Sequence, residues 1–267
     1  MNMIIDSHAH LNFEDFKDDY QKIISDCQKN DIWVINVGAQ LQTSRRAVEI
    51  AEEYQTGIFA AIGLHPIHVS GSSFHPEAFH IDDYRALLNN SKKIVGIGET
   101  GLDFFHSVDN IENQKKVFVK HINLAKEFDL PLIIHSRSSK DGNQDAYSEI
   151  LEILKRENFK KGVIHCFGGK VKQVLDFLDL GFYVGFTGVI TFDKTGVLAE
   201  VVKSLPLEAI LVETDCPYLA PIPYRGERNR PEYVEFVAKK IAEIKEVDYN
   251  KIKQQTAANT IKLFNLS

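Results

Sequence analysis

Eight short apolar runs, each followed by a stretch of helical period, constrain this chain more than any other feature. The runs cover residues 3–7, 32–37, 58–62, 94–98, 132–134, 163–164, 182–186 and 210–213. They are almost continuously apolar rather than alternating, as strands covered on both faces are. Between them, residues 16–28, 44–54, 79–88, 113–128, 146–156, 171–180, 197–204 and 231–244 read as amphipathic helices, and 249–263 as a closing one. In "VKQVLDFLDL", for example, Val171, Val174, Leu175 and Leu178 recur at helical spacing. Eight strand–helix units predict an α/β fold, a (β/α)8 TIM barrel, with a doubly wound open sheet as the alternative. A length of 267 residues suits one such barrel, and no linker or low-complexity tract divides it. Residues 1–267 are therefore read as a single domain.

The residues that directly follow these runs form a pattern. Run one is followed by His8 and His10, in "IIDSHAHLN". Run four gives Glu99, in "IVGIGETGLD"; run five gives His135, in "PLIIHSR". Run six gives His165, in "GVIHCF", and run eight gives Asp215, in "ILVETDCP". The carboxyl ends of parallel barrel strands converge on one face, where active sites sit. His8 and His10 are two residues apart, so an extended chain aims both the same way. Taken alone, a strand-end histidine is usually structural and an acidic residue usually caps a helix or pairs with a lysine. Co-occurrence at five of eight strand ends is not expected of independent accidents. Four imidazoles and two carboxylates suit zinc, manganese or magnesium. They are too many for one ion with an open position and suit two ions about 3.5–4 Å apart, with Glu99 as the bridge.

Net charge, -6 from 31 basic and 37 acidic residues, argues against coarse charge-driven binding of nucleic acid. It leaves room for a polyanion held by metals and a few arginines. Three cysteines, Cys27, Cys166 and Cys216, form no disulfide framework. Cys166 and Cys216 are expected to be small core residues. No apolar run approaches the roughly 20 residues of a membrane helix, and the first residues lack the pattern of a signal peptide. Cytoplasm is the default expectation, with no membrane and no obligate protein partner.

The motifs "DSHAHL", "GLHP", "GETGLD", "IHSR", "HCF", "ETDCP" and "RGERNRP" appear in this order. Together they resemble the TatD family of metal-dependent deoxyribonucleases, within the amidohydrolase superfamily. The resemblance implies a (β/α)8 barrel, a two-metal site and DNA as substrate. It maps one ion onto His8, His10, Glu99 and Asp215 and the other onto Glu99, His135 and His165. It also implies substrate-side roles for His65 and for the segment 228–231. The chain departs from the family pattern at Thr100 and in a longer segment after His135, "SRSSKDGNQDAY".

The implied reaction is hydrolysis of a phosphodiester, probing single-stranded ends as an exonuclease, by a water activated between two metals. Asp215 is expected to act as general base, and Glu99 to bridge the ions. His65, Arg137, Arg228 and Asn229 are the expected substrate contacts, with Arg225 a further phosphate candidate. Phe104 and Phe105 are read as packing loop to barrel rather than stacking on bases. His68, His75, His80, His106 and His121 are read as bystanders. Two other functions compete: hydrolysis of a small amide, ester or phosphoester at the same site, and a non-catalytic binding module.

Overall fold

The computed structural model describes residues 3–106 and 110–267. Eight strands form one sheet in sequential order: β1 (Ile4–Ala9), β2 (Ile32–Val37), β3 (Ile58–Ile62), β4 (Ile94–Asp103), β5 (Leu132–Arg137), β6 (Gly162–Ile164), β7 (Tyr183–Phe186) and β8 (Ile210–Val212). The seven ladders between consecutive strands are parallel. A parallel bridge between Ala9 and Cys216 brings the end of the last unit back against the first strand. Asp215 N donates to His8 O (2.9 Å) and His10 N to Cys216 O (2.9 Å) across the same seam. The sheet is thus a TIM barrel, and these two bonds set the ends of β1 and β8 side by side.

The helices are α1 (Tyr20–Lys29), α2 (Leu41–Glu52), α3 (Ile81–Asn90), α4 (Ile111–Phe128), α5 (Ala146–Arg156), α6 (Val171–Asp179), α7 (Val197–Ser204), α8 (Val234–Lys245) and α9 (Tyr249–Phe264). Every expected strand and helix is present. The differences lie at ends. The first helix starts at Tyr20 rather than 16, after a short 3-10 turn, Glu14–Phe16, and the 3-10 turn Pro231–Tyr233 replaces the first turn expected of α8.

The larger difference is in the strands. β1, β4 and β5 run past their apolar runs, so His8, Glu99 and His135 lie within strands rather than after them. Once a strand has partners on both sides, its ladder continues through polar residues whose side chains find partners of their own. β4 is the extreme case: all ten of its residues are buried, although six of them follow Ile97 in the sequence "GETGLD".

Burial explains the two apolar layers. Ile4, Val34, Ile62, Ile134, Ile164 and Val212 face outward into the helix layer. Ile5, Ile35, Phe59, Val95, Ile133, Val163 and Leu211 fill the barrel interior, joined by Leu263, Phe264 and Leu266 from the end of the chain. Phe264 lies over Gly96, near the start of β4, where a Cβ would sit 3.1 Å from the ring. The last helix therefore plugs the amino-terminal end of the barrel and leaves the carboxyl end for chemistry. No helix among the described residues is long and apolar enough to cross a membrane.

Candidate active site

The carboxyl ends of the strands bring His8, His10, Glu99, His135, His165 and Asp215 into one cluster. Four donor atoms pack most closely. His8 Nε2 lies 3.1 Å from His10 Nε2, 3.4 Å from Glu99 Oε2 and 3.7 Å from Asp215 Oδ1. His10 Nε2 lies 3.8 Å from Glu99 Oε2 and 3.3 Å from Asp215 Oδ1. A tetrahedral ion with bonds of about 2.1 Å needs donors about 3.4 Å apart. The spacings among His8, His10 and Asp215 scatter around that value, so these three donors suit one divalent cation, with Glu99 Oε2 beside both imidazoles.

The other carboxylate oxygen of Glu99 turns to a second group. Oε1 lies 2.9 Å from His135 Nδ1, 3.3 Å from His65 Nε2 and 3.9 Å from His165 Nε2. One carboxylate thus faces two sets of imidazoles with its two oxygens, the arrangement a bridging ligand needs. The β4 register against β5 shifts between Ile97 and Thr100, and this irregularity re-aims the Glu99 side chain inward.

Partners behind the cluster set the imidazole tautomers. His10 Nδ1 donates to Val37 O (2.8 Å), which leaves the Nε2 lone pair toward Glu99 and Asp215. His165 Nδ1 faces Glu213 Oε1 at 2.9 Å, so its Nε2 points into the cluster. His65 is held the other way. Its Nδ1 accepts from Ile67 N (3.1 Å), so the proton sits on Nε2, and this nitrogen is a donor rather than a ligand. Burial pushes His65 down to about 4, keeping it neutral.

Charge is concentrated at the floor. Burial opposes ionisation of Glu99, but His65, His8 and His135 outweigh it and hold the carboxyl well below its usual range. Asp215 is lowered against burial by His165, His10 and His8. Burial also opposes charging of His135, yet Asp103 and Glu99 raise it to about 9. His165 is raised to about 10 by Glu213, Asp215 and Glu99 against the same burial. His8 is lowered by burial and by His165, whose ring stacks on it at 3.6 Å. Without a cation, protons on His135 and His165 offset part of the carboxylate charge.

Three polar residues outside the expected set complete the site. Asp103 Oδ2 accepts from His135 Nε2 (3.0 Å) and His106 Nδ1 (2.9 Å), while Oδ1 accepts from the backbone N–H groups of Phe105 and His106. Burial opposes its ionisation, but the His135 bond and charge pull the carboxyl below its usual range. Glu213 Oε1 lies 2.9 Å from His165 Nδ1 and accepts from Cys166 N (2.6 Å). Asp6 accepts from His8 N (3.2 Å) and from Thr214 N (2.8 Å) and Oγ1 (2.5 Å), tying β1 to the Asp215 segment. Burial raises the Asp6 carboxyl well above its usual range. Each sits in a quoted motif, "GETGLD", "ETDCP" and "DSHAHL". The signal available was a second acidic residue beside each expected ligand.

Above the cluster opens a cavity of about 990 Å³, lined by His10, His65, Glu99, His135, His165 and Asp215 and walled by Arg137, Lys170, Tyr147 and Tyr218. Two of the expected bystanders, His68 and His106, also line it, and so does Cys166, expected in the core. Cys166 is half-buried, with Sγ 3.3 Å from Thr187 Oγ1; Cys216 is buried, as expected. His121 is buried too: its Nε2 accepts from Leu64 N (3.0 Å), supporting the backbone next to His65.

The structure does not bring Arg228 or Asn229 to the cavity. Arg228 pairs with Asp19 and donates to the Asp15 carbonyl, with its guanidinium over Phe16. A carboxylate within reach occupies its fork. Asn229 is fully buried and donates to Thr214 O (2.9 Å) and Tyr218 O (2.6 Å), bracing the segment that carries Asp215. Arg225 lies over Phe192, away from the cavity lining. Arg137 lines the cavity; Phe104 is buried, as expected of a packing residue.

Comparison with known proteins agrees with this geometry. The family model described as TatD related DNase matches residues 5–265. YabD of Bacillus subtilis, named as an uncharacterised metal-dependent hydrolase, is 38% identical over 99% of this chain and 100% of its own. YcfH of Escherichia coli K12, named likewise, is 31% identical over 98% of this chain and 96% of its own. The crystal structure of YjjV, a TatD homolog from Escherichia coli K12, superposes with a TM-score of 0.88 at 30% identity, covering 99% of this chain and 98% of that one.

Proposed function

Because the chain belongs to the family of TatD-related DNases and is a metal-dependent hydrolase of that family, we propose that it hydrolyses phosphodiester bonds of DNA, removing nucleotides from single-stranded ends. The observation that carries this reading is the bipartite Glu99 carboxylate, with His8, His10 and Asp215 on one side and His135 and His165 on the other. These residues would hold two divalent ions. Such ions supply an acidified water as nucleophile and positive charge against the phosphate oxygens.

The chain's own groups do the rest. Asp215 is ionised at neutral pH and partly exposed at the cavity floor, where it accepts the proton of the attacking water. His65 Nε2–H, aimed at the same floor, donates to a phosphate or leaving-group oxygen. Arg137 stands in the wall without a carboxylate partner among the described residues and suits a phosphate. Tyr218, 54% exposed on the rim, suits stacking against a base. The acidic net charge favours one other reading, a small uncharged ester or amide as substrate.

End-labelled single-stranded DNA with manganese or magnesium tests the proposal. Wild type is expected to shorten the DNA from its ends and Asp215→Ala to leave it intact. Equal behaviour of the two proteins, or cleavage of small esters and amides alone, overturns it.

A further inference from the structure

At the ends of β4 and β5, next to Arg137 in the cavity wall, stands a group of a composition unlike the cavity floor. The guanidinium carbon of Arg137 lies 3.8 Å from the centroid of the Phe105 ring, and the Lys140 ammonium lies 4.4 Å from it. Neither cation has a carboxylate partner among the described residues. The acids nearby are engaged in their own turns: Asp141 accepts from Ser139 Oγ (2.6 Å) and Asn143 N (3.1 Å), and Asp145 caps α5 while accepting from Ser148 Oγ (2.7 Å) and Gln173 Nε2 (3.0 Å). Lys170 lines the same wall from the start of α6.

The ring that gathers these charges is itself tied to the floor. Phe104 N donates to Arg137 O (2.8 Å), and Asp103 pairs with Arg137 in the β4–β5 register, so Phe105 emerges beside Arg137. The Phe105 backbone N–H is held by Asp103 Oδ1, and Asp103 Oδ2 holds His135. One carboxylate thus fixes both a candidate metal ligand and the platform under two cations. Cation–π contact restrains two long side chains that otherwise sample many rotamers.

Resting on the phosphodiesterase reading, we infer that Phe105, Arg137 and Lys140 form a subsite for a second phosphate, one nucleotide away from the bond being cut. Arg137 and Lys140 contact that phosphate; Phe105 is a positioning residue that holds them. The subsite selects a nucleotide chain with a neighbouring phosphate over an isolated phosphodiester. A charge-assisted phosphate contact is worth about tenfold in binding.

The test compares kcat/KM for the thymidine dinucleotides TpT, pTpT and TpTp, with bis(p-nitrophenyl) phosphate as a minimal phosphodiester, at low and high salt. One of the two phosphorylated dinucleotides is expected to exceed TpT by about tenfold, with the ratio falling as salt screens the contact. Arg137→Leu, Lys140→Leu and Phe105→Leu should each bring that ratio toward 1, and Phe105→Trp should restore it. Arg137 and Lys140 are exposed, so their variants inform even where a Phe105 variant loses stability. Equal rates for the three dinucleotides, or a ratio untouched by all three leucine variants, overturns the subsite while leaving the phosphodiesterase reading standing. No hydrolysis of any probe, bis(p-nitrophenyl) phosphate included, overturns that reading and the subsite with it.

Discussion

Asp215 and Glu99 carry most of the chemistry proposed for single residues. Asp215→Asn keeps the shape and the left-handed backbone that Asp215 adopts (φ 57°), but it removes a proton acceptor. Activity on DNA is expected to fall about 10²–10⁴-fold, measured as initial rate at saturating metal. Retention of wild-type rate would contradict the general-base role. Asp103 works through His135. Asp103→Asn should weaken metal binding about 10–100-fold, read by competition with a chromophoric chelator, because the imidazole loses its orienting carboxylate. Protonation gives a further signature. In the metal-free chain His135 and His165 are raised to about 9 and about 10 from 6.5. Their stabilisation is full below pH 6.5 and is lost as pH rises through 9 to 10. The melting temperature of chelator-treated protein should therefore drop across that window, and added manganese should suppress the drop, since metal replaces the protons. A pH-independent melting temperature in the metal-free protein would contradict the charge balance described.

At the scale of elements, strand ends place the donors and small residues make the room. Gly185 on β7 faces the Glu213 carboxylate: a Cβ there would sit 2.5 Å from Glu213 Oε2. Gly101, at φ 139°, lets β4 approach β5 so closely that a Cβ would meet His135 O at 2.1 Å. Gly185→Ala should displace Glu213, release His165 and lower metal content, with a stability loss of about 1–3 kcal/mol. Unaltered metal content would show that His165 does not depend on Glu213. On α4, His121 is neutral in the folded chain, pushed down by burial to about 4 from 6.5. The unfolded chain binds a proton between those values, so stability is full above pH 6.5 and falls as pH drops toward 4. The fall attributable to this residue is about 3 kcal/mol. His121→Gln should flatten the urea-midpoint profile between pH 6.5 and 4.5 relative to wild type.

These elements also mark what the sequence made legible. Apolar runs and helical period located the eight strands and nine α-helices found among the described residues, because burial on both faces leaves a compositional trace. They could not show where strands stop, since β4 continues to Asp103 on ladder bonds rather than on apolar side chains. The six clustered donors were legible because strand ends repeat His, Glu or Asp. Asp103 and Glu213 were marked only as second acidic residues in their motifs, because the imidazoles they face, His135 and His165, come from other strands; nothing local marked the cavity-facing His106. Arg228 and Asn229 read as substrate contacts because a motif names residue types; their engagement with Asp19, Thr214 and Tyr218 depends on chain crossings that no local pattern reports.

The whole molecule separates stability from function along the barrel axis. The amino-terminal end is stoppered by Phe264 and its neighbours, and the carboxyl end carries the cavity. Phe264→Ala should cost about 3–5 kcal/mol in urea unfolding. An unchanged unfolding midpoint would place the weight of the core elsewhere. The central claim, that β1, β4, β5, β6 and β8 together build a cage for a pair of cations, is tested most directly by anomalous diffraction from crystals loaded with manganese. Two peaks are expected about 3.5–4 Å apart, one on each oxygen of Glu99. No peak in this cluster, or peaks confined to other surfaces of the barrel, would contradict it.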